Sequence, residues 1–478
     1  MQLFDILKDI QILNAKDIKN VNIEGIEINS KKVRQNYVYV CLKGTKVDGH
    51  NFVGEASDNG ATVIVTQKII KSFSGIQVLV KNTRSALSYI AKNFYKINNM
   101  PDIIGITGTN GKTTTTFMVA NILSCAEKNV GIIGTQGVFF KDYYKNFDMT
   151  TPDPLQLFKS IKEMTDLGAN YIVMEVSAHS IALNKVDAIN FKVKALTNIT
   201  QDHLDFFKSL KKYKKCKENY IKKDDCIKVV NYDDDSGKVL LNNDSSIVGY
   251  SSKYTSDIYA FNINKECNKY SVNMFGELFD IECKIYGKYN ISNALCAISI
   301  CNALNIDKKY IIDGINSFLG ADGRFNVIEK NGIKFVIDFA HTPDAFKNVM
   351  PVAKEMTEQN LYVVFGCGGN RDRGKRSKMG KIASELCDYV IVTEDNARFE
   401  DIQSICKDIT KGIKKNNYEI IHNRIDAIKK AYKLAKSGDI ILVLGKGAEP
   451  YIERNGEKFP YCDKDVINQL TLEDNWWK

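Results

Sequence analysis

Residues 103–120 read IIGITGTNGKTTTTFMVA, and this stretch decides how the chain is understood. It opens on a short β-branched run of the length expected for a buried parallel strand. From Thr113 onward, Phe117, Ala120, Ile122 and Leu123 recur at helical spacing. Strand end and helix start meet across Gly108, Thr109, Asn110, Gly111, Lys112, Thr113 and Thr114. Backbone N–H groups gathered there, with the positive end of the helix dipole, form an anion site; Lys112 adds a point charge for outer phosphates and Thr113 a hydroxyl for Mg²⁺. The spacing departs from the common phosphate loop, because Ile106 stands five residues before Gly111 and the available glycine is Gly108. The competing reading is an ordinary glycine turn with a surface lysine. Its placement between a strand and a helix argues against that, so a nucleoside triphosphate is the expected ligand.

The length of 478 residues exceeds a single core and predicts about three domains. No apolar run approaches the ~20 residues of a membrane helix, and the opening MQLFDILKDI lacks the basic-then-apolar order of a signal peptide. A cytoplasmic protein is expected. Twelve cysteines, among them Cys41, Cys125, Cys216, Cys301 and Cys367, sit among apolar neighbours without a CxxC pair, which favours packed thiols over disulfides or zinc. A net charge of +9 suits nucleic acid or an anionic substrate. The lysines are spread along the chain with no aromatic stacking motif between them, which favours the substrate.

Strand-like runs recur between helical stretches: YIVMEV from Tyr171, KALTNI from Lys194, CIKVVN from Cys226, FVIDFA from Phe335, LYVVFG from Leu361, YVIVTE from Tyr389 and DIILVLG from Asp439. This alternation predicts an α/β fold of parallel sheets covered by helices. KINNMP, before the phosphate loop, reads as a linker and GADGRF, from Gly320, as a hinge, giving domains of 1–98, 99–324 and 325–478. The lysine-rich segment KSLKKYKKCKENYIKK, 208–223, reads by default as a solvated basic helix face.

The motifs TGTNGKTT, TTPDP, MEVSAHS, NITQDHLDFF, NYDDD, GKYNISNALCA, GRF, DFAHTPDA, FGCGGNRDRGKRSKMG, TEDNARFED and GKGAE follow one another along the chain. In that order they resemble the Mur ligases of peptidoglycan synthesis, and among these the branch that adds the third residue of the stem peptide. NSKKV, KGTKVDGHNF and GAT in the first domain resemble the part of the family that holds the uridine nucleotide. The resemblance implies a three-domain architecture: an N-terminal uridine-nucleotide domain, a central P-loop-type parallel-sheet ATPase domain and a C-terminal Rossmann-like α/β domain. It implies an ATP-dependent amide ligase that phosphorylates a carboxylate and lets an amine displace phosphate, with ATP and Mg²⁺ as cofactors. Other readings are a different ligase of the superfamily, such as the dipeptide-adding enzyme or a folylpolyglutamate synthase, and a nucleotide-switch protein without enzyme activity.

The resemblance also implies roles. Thr113, Glu175 at the end of the strand YIVMEV, and His203 in NITQDHLD would hold the metal ions. His179 in SAHS would orient its loop. Lys217 falls where the family carries a lysine carbamylated by CO₂; read from the residues alone it is one lysine among eight nearby, and Cys216 stands beside it where a small residue is usual. Asn290 and Asn293 would offer amides to adenine, Arg324 would meet phosphate, Asp338 ribose, and His341 the nucleotide side. Asn326 replaces an acidic residue after GRF. The uridine nucleotide would meet Ser30, Lys31, Gly44 and His50, and the sugar and peptide Thr150, Thr151, Ser177 and Lys185. Leu183 and Lys185 stand where relatives have glutamine and arginine, and lysine lacks the bidentate fork.

For the incoming amino acid, EDNARFED is the informative stretch. Relatives that use meso-diaminopimelate carry Asp-Asn-Pro-Arg there, and the arginine grips the distal carboxylate. Arg398 would do so here, Arg371 would hold the other carboxylate, Asn396, Gly445 and Glu449 would help read the distal amino group, and Asp395 would be a further substrate-binding residue. Ala397 replaces that proline, and Ala448 replaces the histidine of the family's GKGHE, which keeps meso-lanthionine and L-lysine open as substrates. The bland alternative is a surface arginine balanced by Glu394 and Glu400. The expected partners are a UDP-MurNAc-dipeptide and a diamino acid, with no nucleic acid, no membrane and a monomeric chain.

Overall fold

The computed structural model describes residues 1–44, 47–147 and 149–471. Its backbone divides into two compact units, one built from Met1–Gly105, Lys128–Lys194 and Lys222–Cys226, the other from Ile106–Glu127, Ala195–Ile221 and the chain from Ile227 onward. No helix among the described residues is long and apolar enough to cross a membrane.

In the first unit, the strands Gly25–Glu27, Tyr37–Val40, Ala61–Thr66 and Ile76–Leu79 pair in that order, all parallel. Alternation explains why both faces are buried: Val38, Val40, Val63 and Val65 meet Leu3, Ile6 and Ile90, while Tyr39, Cys41 and Ile64 meet Val53 and Ala56. The helix Thr83–Tyr95 covers this sheet. Asn82 caps it by accepting from the Arg84 and Ser85 amides, and Lys96, left-handed at φ 42°, ends it where the sequence predicts a linker. The same unit pairs Val130–Gly134 with Tyr171–Glu175 in parallel. It then departs from the all-parallel expectation with the antiparallel strands Gly137–Phe140 and Tyr143–Lys145.

The second unit holds the helix Lys112–Cys125, buried on nearly every side. It packs against Lys288–Ala303 and Lys308–Asn316, and at Gly314 a Cβ would stand 2.5 Å from the Ile122 Cα, so glycine sets this helix approach. Ile227–Asn231, Val248–Ser251 and Ile258–Phe261 run parallel. Lys269–Met274 and Glu277–Glu282 are antiparallel, turned by Phe275 and Gly276 at φ 53° and 94°. Two positive φ values match the twist of a tight hairpin, a signal that the apolar-run reading passes over.

The last sheet orders its strands Asn326–Lys330, Ile333–Asp338, Ile440–Leu444, Leu361–Phe365, Tyr389–Val392, Tyr418–Ile420, with only the first antiparallel. The late strand Ile440–Leu444 inserts between two earlier ones, so strand order reverses beside it. Such a switch point opens a crevice at the carboxyl ends of the strands. Asp338, Asp395, Asn396 and Gly445 all lie at or just beyond those ends.

Candidate active site

The loop 108–111 follows the strand Asp102–Thr107 and feeds the helix Lys112–Cys125. A Cβ on Gly108 would overlap the Thr197 hydroxyl, and one on Gly111, at φ 84°, would overlap the Asn293 side-chain oxygen. Both glycines are therefore required by what packs on them. The segment 197–200, outside the motif, clamps the loop: Thr109 donates its amide to the Asn198 carbonyl at 2.8 Å, Asn110 donates its amide to Asn198 Oδ1 at 2.9 Å, and Thr197 Oγ1 donates to the Asn110 carbonyl at 2.6 Å. Lys112 Nζ lies on the loop, donating to the Gly108 and Thr109 carbonyls at 2.9 Å each. Thr114 is buried behind it.

Lys217 is the buried lysine of the basic helix. Leu210–Lys222 forms one helix whose inner face is Tyr213, Lys217, Tyr220 and Ile221, while Lys211, Lys212 and Lys215 are exposed. The solvated-face reading holds for those three and fails for Lys217, which is 1% exposed. Its Nζ donates to Gly108 O at 2.9 Å and Thr107 Oγ1 at 3.1 Å and lies 5.2 Å from the centre of the Tyr213 ring. No carboxylate lies within ion-pair distance of it among the described residues. Burial, then the neighbouring charge of Lys112, pushes its pKa well below the usual lysine range.

His203 follows Asp202, which the sequence reading passed over and which organises this corner. Buried, it lies 3.3 Å from His203 Nε2, 3.8 Å from His341 Nε2 and 3.9 Å from Lys375 Nζ. Burial alone would raise its pKa, but the His341 hydrogen bond and the charges of His203 and Lys375 hold it well below the usual carboxylate range. Arg324 stacks on Phe339, 4.6 Å from the ring centre, and donates to Thr113 Oγ1 at 2.9 Å, so the expected phosphate-binding guanidinium reaches the helix start. Asp338 spends its carboxylate locally, accepting from the Phe325 amide at 2.8 Å and the Ala340 amide at 2.7 Å, and burial raises its pKa. Asn293 donates to Asn290 Oδ1 at 3.1 Å, Asn290 donates to Tyr286 O at 2.8 Å, and both are buried. Asn326 Oδ1 accepts from the Gly323 amide.

At the carboxyl edge of the last sheet, the side-chain oxygen of Asn396 is saturated. Its Oδ1 accepts from Lys446 Nζ at 3.1 Å and the Glu453 amide at 2.9 Å, and its Nδ2 donates to Glu449 Oε2 at 2.9 Å. Lys446, fully buried, also donates to Glu449 Oε2 at 2.9 Å. Burial opposes ionisation of Asp395, yet Lys446 and Arg424 lower its pKa; its Oδ2 lies 2.6 Å from where a Gly445 Cβ would be. Arg398, left-handed at φ 53°, donates Nη1 to Gly369 O at 3.0 Å, and its Nε lies 3.3 Å from Glu453 Oε2. The expected alternative partners are engaged elsewhere: Glu394 holds Arg454 at 2.6 and 2.8 Å, and Glu400 holds Arg376 at 2.7 Å. Arg371 is exposed, without an ion pair among the described residues, and both it and Arg398 flank Gly368, where a Cβ would lie 3.6 Å from Arg371 Cγ and 2.9 Å from Arg398 Nη1. Ala448 takes the space beside Gly323, and Ala397 is buried.

In the first unit, Glu175 ends its strand buried, its Oε1 accepting from the Thr135 amide at 2.9 Å and its Oε2 from the Thr135 hydroxyl at 3.1 Å. The Gly134 position leaves room for that carboxylate, since a Cβ there would overlap Oε1. Thr135 reaches Thr150 Oγ1 at 3.1 Å, and Thr151 Oγ1 donates to the Glu175 carbonyl at 2.9 Å and accepts from the Ser177 amide at 3.1 Å. Ser177 caps the helix Ala178–Ala182, which carries a half-buried His179. Lys185 is buried and pairs with Asp153 at 2.8 Å. Ser30 donates to Glu55 Oε2 at 2.5 Å, and Lys31 is exposed. His50 uses both ring nitrogens: Nε2 accepts from the Gln67 amide at 3.2 Å, which leaves the proton on Nδ1 for Asp48 at 2.6 Å. Gly44 donates its amide to Val47 O at 2.8 Å.

Three family models match the chain in order: "Mur ligase family, catalytic domain" over residues 22–95, "Mur ligase middle domain" over 106–301 and "Mur ligase, glutamate ligase domain" over 323–447. The UDP-N-acetylmuramoyl-L-alanyl-D-glutamate--2,6-diaminopimelate ligase of Clostridium botulinum (strain ATCC 19397 / Type A) is 38% identical over 484 residues, covering 99% of this chain and 100% of the relative. The enzyme of the same name from Clostridioides difficile (strain 630) is 36% identical over 481 residues, covering 98% and 99%. A solved structure of a ligase so named superposes with a TM-score of 0.69 at 27% identity over 98% of both chains. MurF from Acinetobacter baumannii, at 18% identity over 98% of both chains and a TM-score of 0.66, shares the fold.

Proposed function

The chain belongs to the Mur ligase family of ATP-dependent ligases, and from that premise we propose that it joins meso-2,6-diaminopimelate to UDP-MurNAc-L-Ala-D-Glu in the cytoplasm, the reaction known as MurE. In this reading residues 1–98 hold the uridine nucleotide, 99–324 hold ATP and 325–478 hold the amino acid; the three family models cover 22–95, 106–301 and 323–447, and residues 472–478 lie outside the described part. The γ-phosphoryl group passes to the D-glutamyl carboxylate, giving ADP and an acyl phosphate. The amine then attacks the acyl carbon, loses a proton, and inorganic phosphate leaves as the amide forms.

The chain's own groups fit these steps. Loop amides of 108–114 and the ammonium of Lys112 cradle the phosphates, with Asn290, Asn293, Arg324, Asp338 and His341 on the nucleotide side. Carbamylation of Lys217 needs a neutral amine that attacks CO₂, forms the N–C bond and releases a proton. A lysine buried against a hydroxyl and a carbonyl supports that reading. Among the described residues no group of three His, Cys, Asp or Glu side chains could hold a metal; the groups this reading assigns to the ions are the Thr113 hydroxyl, the Glu175 carboxylate, the His203 imidazole and the Lys217 carbamate, each of which would supply an oxygen or nitrogen donor. Magnesium, when bound, neutralises the crowded phosphoryl and carboxylate oxygens.

The observation that carries the choice of amino acid is that two arginines meet at Gly368, Arg398 through its Nη1 and Arg371 through its Cγ. Two arginines suit a substrate with two carboxylates, which meso-diaminopimelate has and L-lysine lacks. Phosphate release from ATP tests the reading directly, with the uridine-linked dipeptide and a panel of meso-diaminopimelate, meso-lanthionine and L-lysine. Release should require the dipeptide and an amino acid, and be fastest with meso-diaminopimelate. Release that needs no amino acid contradicts the ligase assignment.

A further inference from the structure

The hairpin Tyr451–Arg454 and Glu457–Pro460 is absent from the motifs that point to the substrate, yet it is fastened onto the loop expected to read the amino acid's distal end. Its turn, Asn455 and Gly456 at φ 52° and 82°, is a tight Asn-Gly hairpin. Arg454 clamps Glu394 through Nε at 2.8 Å and Nη2 at 2.6 Å. Glu453 touches both distal-end residues: its amide donates to Asn396 Oδ1 at 2.9 Å, its carbonyl accepts from the Arg398 amide at 3.0 Å, and its Oε2 faces Arg398 Nε.

Resting on the meso-diaminopimelate reading, we propose that Glu453 determines amino-acid specificity by receiving the distal ammonium of the substrate while Arg398 takes the adjacent carboxylate. The count of acceptors leads there. Asn396 Oδ1 already has two donors, and Glu449 takes Lys446 and Asn396 on Oε2, which leaves Oε1 as a second acceptor for the same ammonium. Among the described residues the Glu453 carboxylate has one partner, Arg398, and keeps acceptor positions open, with 19% of its side chain exposed beside the 21% of Arg398. Arg398, with Nη1 on backbone carbonyls and Nε on Glu453, keeps Nη2 unbonded among the described residues. An ammonium and a carboxylate on one carbon complete a ring in which every charge neighbours its opposite. A side chain ending in a carboxylate alone must face Glu453 with like charge, and one ending in an ammonium alone leaves the Arg398 donors unpaired.

The test compares kcat/KM for meso-diaminopimelate and L-2-aminopimelate, which keeps the distal carboxylate and lacks the distal ammonium, in wild type, Glu453→Gln and Glu453→Asp. Glu453→Gln should lower kcat/KM for meso-diaminopimelate by about 10- to 100-fold, mainly through KM. It should leave L-2-aminopimelate unchanged or better used, and Glu453→Asp should restore part of the preference. Equal loss on both substrates would make Glu453 only a support for Arg398, and no loss on either would remove it from recognition; either overturns the inference alone. A wild type unable to use meso-diaminopimelate overturns the substrate reading, and this inference with it.

Discussion

The phosphate loop and the amino-acid loops of the same unit are built on opposite principles. Around 108–111 the shape is set by backbone: glycines that admit no Cβ, amides and carbonyls bonded to 197–200, and one buried lysine resting on neutral acceptors. Around 394–398 and 445–454 it is set by charge: Glu394 with Arg454, Arg398 with Glu453, Lys446 with Glu449, each pair tying one loop to another. A phosphate is the same in every substrate of such a chain, so rigid amides serve it. An amino-acid side chain must be told from its neighbours, and a pattern of opposite charges discriminates more sharply than apolar fit.

Substitutions on either side sharpen this contrast. The largest effect is expected at Lys217→Met, which keeps volume and removes the amine. By analogy with loss of one key transition-state contact, kcat should fall by ~10²–10³-fold, while Tm holds or rises because a buried amine with no carboxylate partner is replaced by an apolar side chain. Steady-state kinetics and a melting curve on one preparation check both, and a carbamate carbon signal from ¹³C-bicarbonate should vanish in the variant. Activity near wild type would mean that the loop works through its backbone alone. Next is Gly111→Ala, which puts a side chain at positive φ and into Asn293: a loss of about 1–2 kcal/mol in stability with a raised KM for ATP. An unchanged KM for ATP would break the claim that this glycine shapes the phosphate site. Smallest is Arg454→Ala, whose half-exposed bridge to Glu394 should be worth about 1 kcal/mol of stability in denaturant unfolding. Its kinetic mark should fall on KM for the amino acid and spare that for ATP.

How much could be foreseen follows the same division. The strand, loop and helix of 102–125 lie within one short stretch, so periodicity and glycine placement reveal them, as they reveal every apolar run of the last sheet. Lys217 was legible only through family register, because eight similar lysines differ in which helix face packs inward, and that is a tertiary fact. Glu453 and Arg454 left no local sign: their partners lie some 55 to 60 positions back in the chain, and a charged dipeptide in a hairpin reads as surface. His50 and Asp338 show the converse. Their residue types drew attention, but only the structure shows that His50 also joins Asp48 to the Gln67 amide and that Asp338 also holds the Phe325 and Ala340 amides.

The central claim, that the charge pattern around Arg398 selects a diamino dicarboxylic acid, is tested most directly by kcat/KM for meso-diaminopimelate against L-lysine in wild type and Arg398→Ala. Loss of a bidentate carboxylate contact should cut the wild-type preference for meso-diaminopimelate by about 100-fold. A wild type that prefers L-lysine, or a variant that keeps the wild-type preference, would contradict it.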